Sequence, residues 1–510
     1  MKMKKRNWAI GIEILLATML TVMLALIFCT NTMHYHYRIN ADIASEGILA
    51  RLIWESGEWI PSTWCVAMET RIFDIANLAA LFYGITSNMS LSVGLACSVM
   101  TCAIMGSGIY LMKSLKMSRV QILIFLLLCL IIPNNFMILE VFYLFAAYYS
   151  PHIVVLFITL GIYARALDKG LSLKGAGVAI ILEFMLGMQG VRGILVIAGP
   201  VFAVEVVRYI YKLYKKEERN KNDYYMLGWS FLLIIAGFVG GMFPFSRGQS
   251  MSRNIRKAPQ KLIGEVIPDI VKGIGFEEAR GGEIILLIIF CLIAAVMVGK
   301  ILYKGFKKQN IAAAEWIYLG LFGSPVATAV ILTFTTTESS ARYFFVFVIA
   351  FAFSVALMVG NKIKIVLPAV FLCIVAMYFN VQEIYKPIIE STDLVHDSRY
   401  QVVSYLQEHE YDMAYTDFEN ANTMGIMANE PLRVAAIDSS AKMNICKWMT
   451  STEWYVPNVP FEAKTAYIIT ESRMKDFESF MEAHEEDIWF ETKIDGYSIY
   501  GSEYNFSTLE

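Results

Sequence analysis

Long hydrophobic runs alternate with short polar segments along most of the chain, and a polar tail follows. Apolar runs that suit membrane helices occupy residues 8–29, 89–112, 120–133, 150–166, 175–189, 193–211, 225–245, 283–303, 313–335, 341–359 and 363–380. A helix needs about 20 apolar residues to cross a bilayer. The third and fifth runs are shorter, so we expect them to be tilted, broken or extended. The pattern predicts an α-helical polytopic membrane protein with about 11 transmembrane helices.

Composition supports the same class and adds an asymmetry of charge. Of the 510 residues, 57% are hydrophobic and 17% are charged, which is not typical of a water-soluble protein. Residues 1–380 carry 34 Lys and Arg against 21 Asp and Glu, whereas residues 381–510 carry 9 against 24. The two parts therefore lie in different environments. We expect membrane lipids as partners and no nucleic acid.

The distribution of basic residues predicts the orientation in a bacterial plasma membrane. The chain begins with MKMKKRN and continues into an apolar stretch without a small-residue cleavage site, which predicts a retained signal anchor. Placing this end in the cytoplasm puts most basic segments between spans on the cytoplasmic side. An odd number of spans then places the acidic tail outside the cytoplasm.

Three regions follow from this layout. Residues 1–380 form the transmembrane domain, residues 381–394 a linker, and residues 395–510 an extracytoplasmic α/β domain. Within the first region, residues 30–88 and 246–282 are extracytoplasmic loops. In the tail, the pattern predicts helices at 400–410, 418–429 and 474–486, strands at 413–416, 432–437 and 465–470, and a hairpin of 488–494 with 497–503 around Asp495-Gly496.

The first loop contains two carboxylates, Asp42 and Glu46, one helical turn apart in ADIASEGILARLIWESGEW. This stretch predicts an amphipathic helix at the membrane surface with both carboxylates on one face. They are either solvated groups near a helix N-terminus, or a general base or metal site that meets a lipid-borne substrate. His34 and His36, just before this helix, are further candidate metal ligands.

The second loop is basic although the predicted orientation places it outside. It contains Arg247, Arg253, Arg256, Lys257, Lys261, Lys272 and Arg280. Positive charge on this side contradicts the usual topology rule, so we expect the loop to bind an anion. A lipid phosphate or diphosphate is one candidate, with Arg253, Arg256 and Lys257 as contacts; anionic lipid head groups in general are the other.

Two arginines lie at the outer ends of predicted spans: Arg192 in GMQGVRG, and Arg342, beside Tyr343, in SSARYFF. Each arginine either extends to the interface or holds a phosphate, because a guanidinium fits phosphate oxygens. Glu140 and Glu183 also lie at or within the outer half of the membrane. Because carboxylates are costly there, we expect them to pair, and the arginines are candidate partners.

Together these features resemble the GT-C superfamily. They are the signal anchor, a long first loop that opens with Asp42, interfacial helices through GEWIPSTW, a late span entered by Ala341-Arg342-Tyr343, and an extracytoplasmic tail domain. The GT-C superfamily comprises polytopic glycosyltransferases with polyprenyl-phosphate or polyprenyl-diphosphate sugar donors.

The resemblance implies a function and roles for individual residues. The donor would be a polyprenyl-linked sugar, and the acceptor a cell-envelope glycan or lipid. Asp42, with Glu46 as second choice, would be the catalytic base or would help to hold a divalent cation such as Mg or Mn. Arg342, Tyr343, Arg192 and the basic loop would bind the lipid phosphate.

Two other classes of function remain open from the sequence. The first is a transporter or lipid-glycan flippase whose intramembrane carboxylates and arginines line a path. Such transporters usually have two halves of similar hydropathy, and no such repeat is visible. The second is a non-catalytic membrane scaffold that displays the tail domain. Consumption of a lipid-linked donor distinguishes glycosyl transfer from both.

Overall fold

The computed structural model describes residues 2–66, 72–242, 255–274, 281–360, 363–391, 397–428 and 431–509. They fall into two compact units. The first, called the membrane unit, is formed by the described residues within 1–29 and 98–387. The second, called the loop–tail unit, is formed by those within 30–68, 72–97 and 388–510.

The described α-helices, numbered in chain order, are α1 (Lys2–Met33), α2 (Ala41–Ser56), α3 (Ile75–Thr86), α4 (Met89–Ser114), α5 (Arg119–Ile131), α6 (Phe136–Phe142), α7 (Ser150–Lys169), α8 (Leu173–Met188), α9 (Gly199–Lys215), α10 (Lys221–Gly241), α11 (Ala258–Lys261), α12 (Ile267–Gly273), α13 (Gly281–Phe306), α14 (Ala313–Phe334), α15 (Val346–Val359), α16 (Ile363–Asn380), α17 (Lys386–Glu390), α18 (Ser398–Glu408), α19 (Phe418–Met427) and α20 (Met474–Ala483). Short 3-10 or π-helical turns adjoin several of them, including Tyr35–Arg38, Ile194–Ala198, Leu262–Val266, Ala341–Phe344 and Val381–Tyr385.

Within the described ranges, nine helices are long and apolar enough to cross a membrane. They match nine of the eleven predicted spans. The other two, 120–133 and 175–189, correspond to α5 with 13 residues and α8 with 16 residues. The chain is therefore a multi-pass membrane protein, and the predicted polytopic α-helical fold class is confirmed.

The short helix α5 lies inside the membrane unit. It begins at a capping box, in which Ser118 and Gln121 each accept a hydrogen bond from the backbone amide of the other. Every residue from Ile124 to Ile131 is buried, and α5 packs against α15 and α16. A helix that is apolar on all sides and buried on all sides belongs to the core of a bundle rather than to its lipid-facing surface.

Small residues allow α8 and α10 to approach closely. A methyl group placed on Gly187 would lie 2.2 Å from the carbonyl oxygen of Gly237, and one on Gly240 would lie 2.2 Å from the carbonyl oxygen of Phe184. Glycine-mediated contact of this kind is a usual means of packing helices in membranes, where burial from water does not drive association.

The tail contains a five-stranded sheet. Its strands are β2 (Met413–Thr416), β3 (Arg433–Ala436), β5 (Thr465–Thr470), β6 (Ile488–Ile494) and β7 (Tyr497–Ser502), in the order β3-β2-β5-β7-β6. β2 is parallel to β3 and β5, and β7 is antiparallel to β5 and β6. Every strand and helix predicted for the tail is present, including the hairpin around Asp495 and Gly496, whose φ angles of 45° and 90° suit a tight turn. The predicted α/β fold of the tail is confirmed.

The first loop belongs to the same unit as the tail. Strand β1 (Trp64–Cys65) pairs antiparallel with β4 (Thr450–Ser451) in a two-stranded sheet. Beside this sheet, the Thr452 amide donates a 2.9 Å hydrogen bond to the Thr63 carbonyl. The sequence was expected to divide into residues 1–380 and 395–510, which groups the first loop with the membrane helices. The boundary between the two compact units differs from that division, because the first loop belongs to the loop–tail unit. The expected linker also differs, because helix continues to Glu390 and buries Ile384 and Ile388.

Helix α2 is present as predicted, but it is not a surface helix with a solvated polar face. Eleven of its sixteen residues are buried, among them Ser45, Glu46 and Arg51. Both α3 and α19 pack against it, and a methyl group on Gly47 would lie 2.6 Å from the end of the Ile426 side chain. The alternative in which this face is solvated therefore does not hold, and α19, which covers part of α2, comes from a segment remote in sequence.

Candidate functional site

The N-terminus of α2 presents Asp42. The Asn40 side chain caps the helix by accepting a 2.9 Å hydrogen bond from the Ile43 amide. Asp42 lies in the first turn, where the free amides of a helix favour negative charge. Its carboxylate is partly buried and makes no hydrogen bond or ion pair with any residue that the structure describes. This carboxylate is therefore available to accept a proton.

Glu46, one turn later, has a different environment. Only 4% of Glu46 is exposed, so the alternative in which both carboxylates are solvated does not hold for Glu46. Burial, followed by the charges of Cys97 and Glu46, raises the pKa of Tyr35 well above its ordinary value of 10.0. The Tyr35 hydroxyl donates a 3.1 Å hydrogen bond to the carbonyl of Ile43. Glu46 thus belongs to a packed interior, and Asp42 is the more accessible of the two.

The predicted cation does not fit the side chains of this region. Among the described residues, no group of three or more His, Cys, Asp or Glu side chains has an arrangement that could hold a metal ion. Mg and Mn prefer several oxygen ligands. Asp42 supplies a single carboxylate, Glu46 is buried, and the ring of His36 packs edge-on against Tyr35 with 5.9 Å between centroids.

Two arginines and two tyrosines meet in the membrane unit. The guanidinium carbon of Arg192 lies 3.8 Å from the ring centre of Tyr149 and 5.6 Å from that of Tyr343. The guanidinium carbon of Arg342 lies 5.8 Å from the ring centre of Tyr343. We call these four residues the arginine–tyrosine cluster. Such cation–π contacts hold guanidinium groups in place without neutralising them. The structure thus brings together three predicted phosphate-binding residues: Arg192, Arg342 and Tyr343.

Tight packing holds Arg342 in the turn Ala341–Phe344. A methyl group on Gly273 of α12 would lie 2.6 Å both from the carbonyl oxygen of Ala341 and from Cβ of Phe344. The Nε atom of Arg342 is buried and donates no hydrogen bond to a described residue. Its guanidinium forms no ion pair with a carboxylate in the described part of the chain. A buried donor without an acceptor is unfavourable, and a phosphate oxygen would satisfy it.

The described basic residues around α11 differ in exposure. Arg256 and Lys257 are exposed just before α11, and their side chains form no ion pair with a described residue. Lys261, in contrast, is 8% exposed and donates hydrogen bonds to the carbonyls of Thr335, at 2.9 Å, and Thr337. Lys261 therefore fixes the loop to the segment after α14. The predicted contact Arg253 lies outside the described residues.

Glu183 forms no ion pair with an arginine among the described residues, contrary to the pairing expected from the sequence. It is fully buried in α8, and neither carboxylate oxygen forms a hydrogen bond with a residue in the described ranges. Methyl groups on Gly193 and Gly237 would lie 3.1 and 3.2 Å from its Oε1 atom. The space around this carboxyl group is thus provided by glycines rather than by a cation, and Glu183 is not part of the arginine–tyrosine cluster.

Sequence reasoning did not single out Tyr149, which forms the closest cation–π contact of the cluster. Tyr149 directly precedes α7, whose first turn contains Pro151. The ring of His152, which is 1% exposed, lies 5.7 Å from that of Tyr149. The available signal was an aromatic pair directly before a proline-initiated helix, since proline in the first turn marks a helix start.

Comparisons with known proteins place the fold. No protein-family model matches the sequence, and no curated protein matches it. The structure of ArnT from Cupriavidus metallidurans bound to undecaprenyl phosphate is similar over 95% of this chain and 97% of that chain, with 11% identity and a TM-score of 0.54.

Two larger proteins match less well. The Archaeoglobus fulgidus oligosaccharyltransferase, in complex with Zn and sulfate, matches 96% of this chain and 73% of its own, with 11% identity and a TM-score of 0.48. The arabinofuranosyltransferase AftD from Mycobacteria matches 96% of this chain, which spans only 41% of AftD, with 9% identity and a TM-score of 0.49.

The likeness to ArnT extends over nearly the whole of both chains. At 11% identity it shows the fold alone. The chain has a GT-C-like fold, in which a polytopic helical region is followed by a tail domain. This confirms the fold expected from the resemblance in the sequence.

Proposed function

We propose that this protein is a membrane glycosyltransferase that moves a sugar from a polyprenyl-phosphate-type donor to an acceptor outside the cytoplasm. The observation that carries the proposal is the likeness to ArnT along both chains, because that structure contains undecaprenyl phosphate. The available carboxylate of Asp42 and the arginine–tyrosine cluster supply the two kinds of group that such a reaction needs. The acceptor is a glycan or lipid of the cell envelope.

Asp42 is the general base in this proposal. As the acceptor hydroxyl attacks the anomeric carbon of the donor sugar, its proton passes to the Asp42 carboxylate. The bond between the anomeric carbon and the phosphate oxygen breaks, and the lipid phosphate leaves with the electron pair. The carboxylate supports this role because it is ionisable, partly accessible and not engaged by a described residue. Glu46 keeps a packing role.

Arg342 and Arg192 bind the donor phosphate. Charge builds up on this group as it leaves, and fixed guanidinium groups stabilise that charge most strongly where water is largely excluded. The buried Nε atom of Arg342, which has no acceptor among the described residues, donates to a phosphate oxygen, and Tyr343 holds its guanidinium in position. Arg256, Lys257 and Arg253 attract the anionic head group toward the site.

The proposed location is a bacterial plasma membrane, with the N-terminus in the cytoplasm and the loop–tail unit outside it. The pairing of β1 with β4 supports a common side for the first loop and the tail. Single cysteines at Ser62 and Ser479, both exposed, test this arrangement in a cysteine-free background. A membrane-impermeant maleimide should label both in intact cells. Labelling of one without the other would contradict the arrangement.

The proposal is tested by incubating the purified protein with a panel of polyprenyl-phosphate sugars and envelope acceptors. The expected result is release of free polyprenyl phosphate together with an equal amount of glycosylated acceptor. A second assay follows labelled lipid in sealed vesicles that contain the same protein. A flippase would move the labelled lipid across the bilayer without consuming it. Movement without consumption, or neither, would overturn the proposal.

A further inference from the structure

The loop–tail unit contains a cavity that Asp42 does not line. Its volume is about 200 Å³. Residues of the first loop and the tail both contribute to the wall, and the tail contributes several apolar side chains. The polar side chains of the wall include His36, Arg51, Tyr83, Asn88, Ser90 and Tyr400. We call it the loop–tail pocket. It has room for a single six-membered ring with its hydroxyl groups, but not for an extended lipid.

Hydrogen-bonding groups without described partners line this pocket. The Nδ1 atom of His36 is buried and forms no hydrogen bond with a described residue. Asn88 uses its side-chain oxygen to accept from the Leu91 amide at 2.9 Å, so its NH₂ group remains available. Tyr400 is 36% exposed and offers both a ring face and a hydroxyl. Buried polar groups are normally satisfied, so the unpartnered Nδ1 atom of His36 indicates a polar ligand. The exposed side chains of Asn88 and Tyr400 are free to add hydrogen bonds to it.

The charges around the pocket are balanced by protein groups. Arg51 forms a 2.7 Å ion pair with Glu55, and Arg399 forms one of 2.6 Å with Asp397. Burial lowers the pKa of His36 from its ordinary 6.5; Asp397 opposes this effect and Arg399 adds to it. The His36 ring is therefore neutral near pH 7. Among the described residues that line the pocket, no positive charge is left without a carboxylate partner for an anion. A neutral ligand with several hydroxyl groups matches the donors and acceptors present.

We propose that the loop–tail pocket binds one uncharged sugar residue of the acceptor. The inference that the bound sugar belongs to the acceptor rests on the proposed glycosyl transfer. The inference that the pocket prefers a neutral, hydroxyl-rich ring rests on the pocket alone. Binding at this position would hold the acceptor to the same unit that carries Asp42. The pocket is thus a specificity site for the acceptor, separate from the base.

The test is direct binding to the full-length protein in lipid nanodiscs, which avoids detergents with sugar head groups. The probes are the methyl glycosides of glucose, galactose, mannose and N-acetylglucosamine, with glucuronate and inorganic phosphate as charged comparators, followed by saturation-transfer NMR. At least one neutral glycoside should bind. His36→Phe keeps an aromatic ring without nitrogen and should weaken that binding about tenfold.

His34→Phe is the matched control, because it makes the same change two residues earlier at a side chain that does not line the pocket. It should leave glycoside binding unchanged. Tyr400→Ala, at a more exposed position, provides a second variant if His36→Phe lowers the yield of folded protein, and it should also weaken binding. The inference fails if no neutral glycoside binds, if both pocket variants bind as the parent does, or if a charged probe binds more tightly through His36.

The transfer assay separates this inference from the proposed function. If sugar is transferred but His36→Phe leaves the KM for the acceptor unchanged, the pocket is not an acceptor site although the function stands. If glycoside binding depends on His36 but no donor is consumed, the pocket binds sugar and the glycosyltransferase proposal fails. If both hold, His36→Phe should raise the acceptor KM about tenfold while donor affinity is unchanged.

Discussion

Replacing Asp42 with Asn is the most informative change to this protein. Asparagine has nearly the same size and keeps one carbonyl oxygen, but it does not accept a proton at neutral pH. The Asp42 side chain makes no hydrogen bond with a described residue, so the substitution removes charge and basicity without breaking a contact. Its effects on folding and on chemistry are therefore separable.

The expected magnitudes differ widely. Loss of a negative charge in the first turn of α2 should lower the free energy of unfolding by about 0.3–1 kcal/mol, the usual range for a charge at a helix terminus. Loss of a general base should lower turnover by about 10²–10⁴-fold, which corresponds to about 2.7–5.4 kcal/mol of activation free energy. Transfer should thus nearly vanish while the melting temperature changes little.

The matched control is Glu46→Gln, one turn along the same helix. Because Glu46 is 4% exposed, this change should disturb packing and lower the melting temperature, but transfer per folded molecule should persist. The assay is release of polyprenyl phosphate, normalised to folded protein from size-exclusion chromatography. Parental turnover by Asp42→Asn, or a loss that merely follows the folded fraction, would refute the assignment of the base.

Three further predictions follow from the packing and charge of individual residues. Arg342→Ala should weaken binding of undecaprenyl phosphate about 10–100-fold in calorimetric titrations, because a hydrogen bond to a charged group contributes about 1.5–3 kcal/mol. The control is Arg119→Ala, which removes an arginine with 86% of its side chain exposed. Equal affinities of the two variants would exclude Arg342 from the phosphate site. Gly187→Ala should lower the free energy of unfolding by about 1–3 kcal/mol or more, since its methyl group would lie 2.2 Å from a backbone oxygen. The control is Gly228→Ala, whose methyl group would meet no atom of a neighbouring segment within 4 Å and should leave the melting temperature nearly unchanged. The pKa of His36 is lowered in the folded protein, so the unfolded chain binds more protons below pH 6.5 and acidification should destabilise the fold. Between pH 7.5 and pH 5.5, His36→Phe should therefore lose less melting temperature than the parent protein does. Identical losses in the two proteins would contradict the burial of a neutral ring.

The sequence predicts elements well where local pattern decides them. The hairpin at Asp495 and Gly496 was predictable because its turn residues adopt positive φ at little cost. Long apolar helices were predictable because the bilayer sets their length. Helix α5 was harder, since a buried helix inside a bundle need not span the membrane and its 13 residues carry no signal of their partners.

The candidate site was predictable in its residue types but not in its groupings. Arg192, Arg342 and Tyr343 were candidates individually, while their meeting around Tyr149 depends on tertiary packing. The burial of Glu46 was not predictable for the same reason: it depends on the packing of other segments against α2, which no local period encodes. The pattern of hydrophobic and polar residues is informative about residues close together in the sequence. The loop–tail unit is built from segments far apart in the sequence, so the pattern does not predict their contacts.

The pairing of β1 with β4 has a consequence for the synthesis of this protein. Thr63 and Ser451, which share a hydrogen bond beside these strands, are 388 positions apart. At 5–20 residues per second the ribosome needs roughly 20–80 s to make the chain between them. Throughout that interval the apolar surface of α2 lacks its final covering. A chain that ends before α19 would therefore expose the face of α2 that α19 covers.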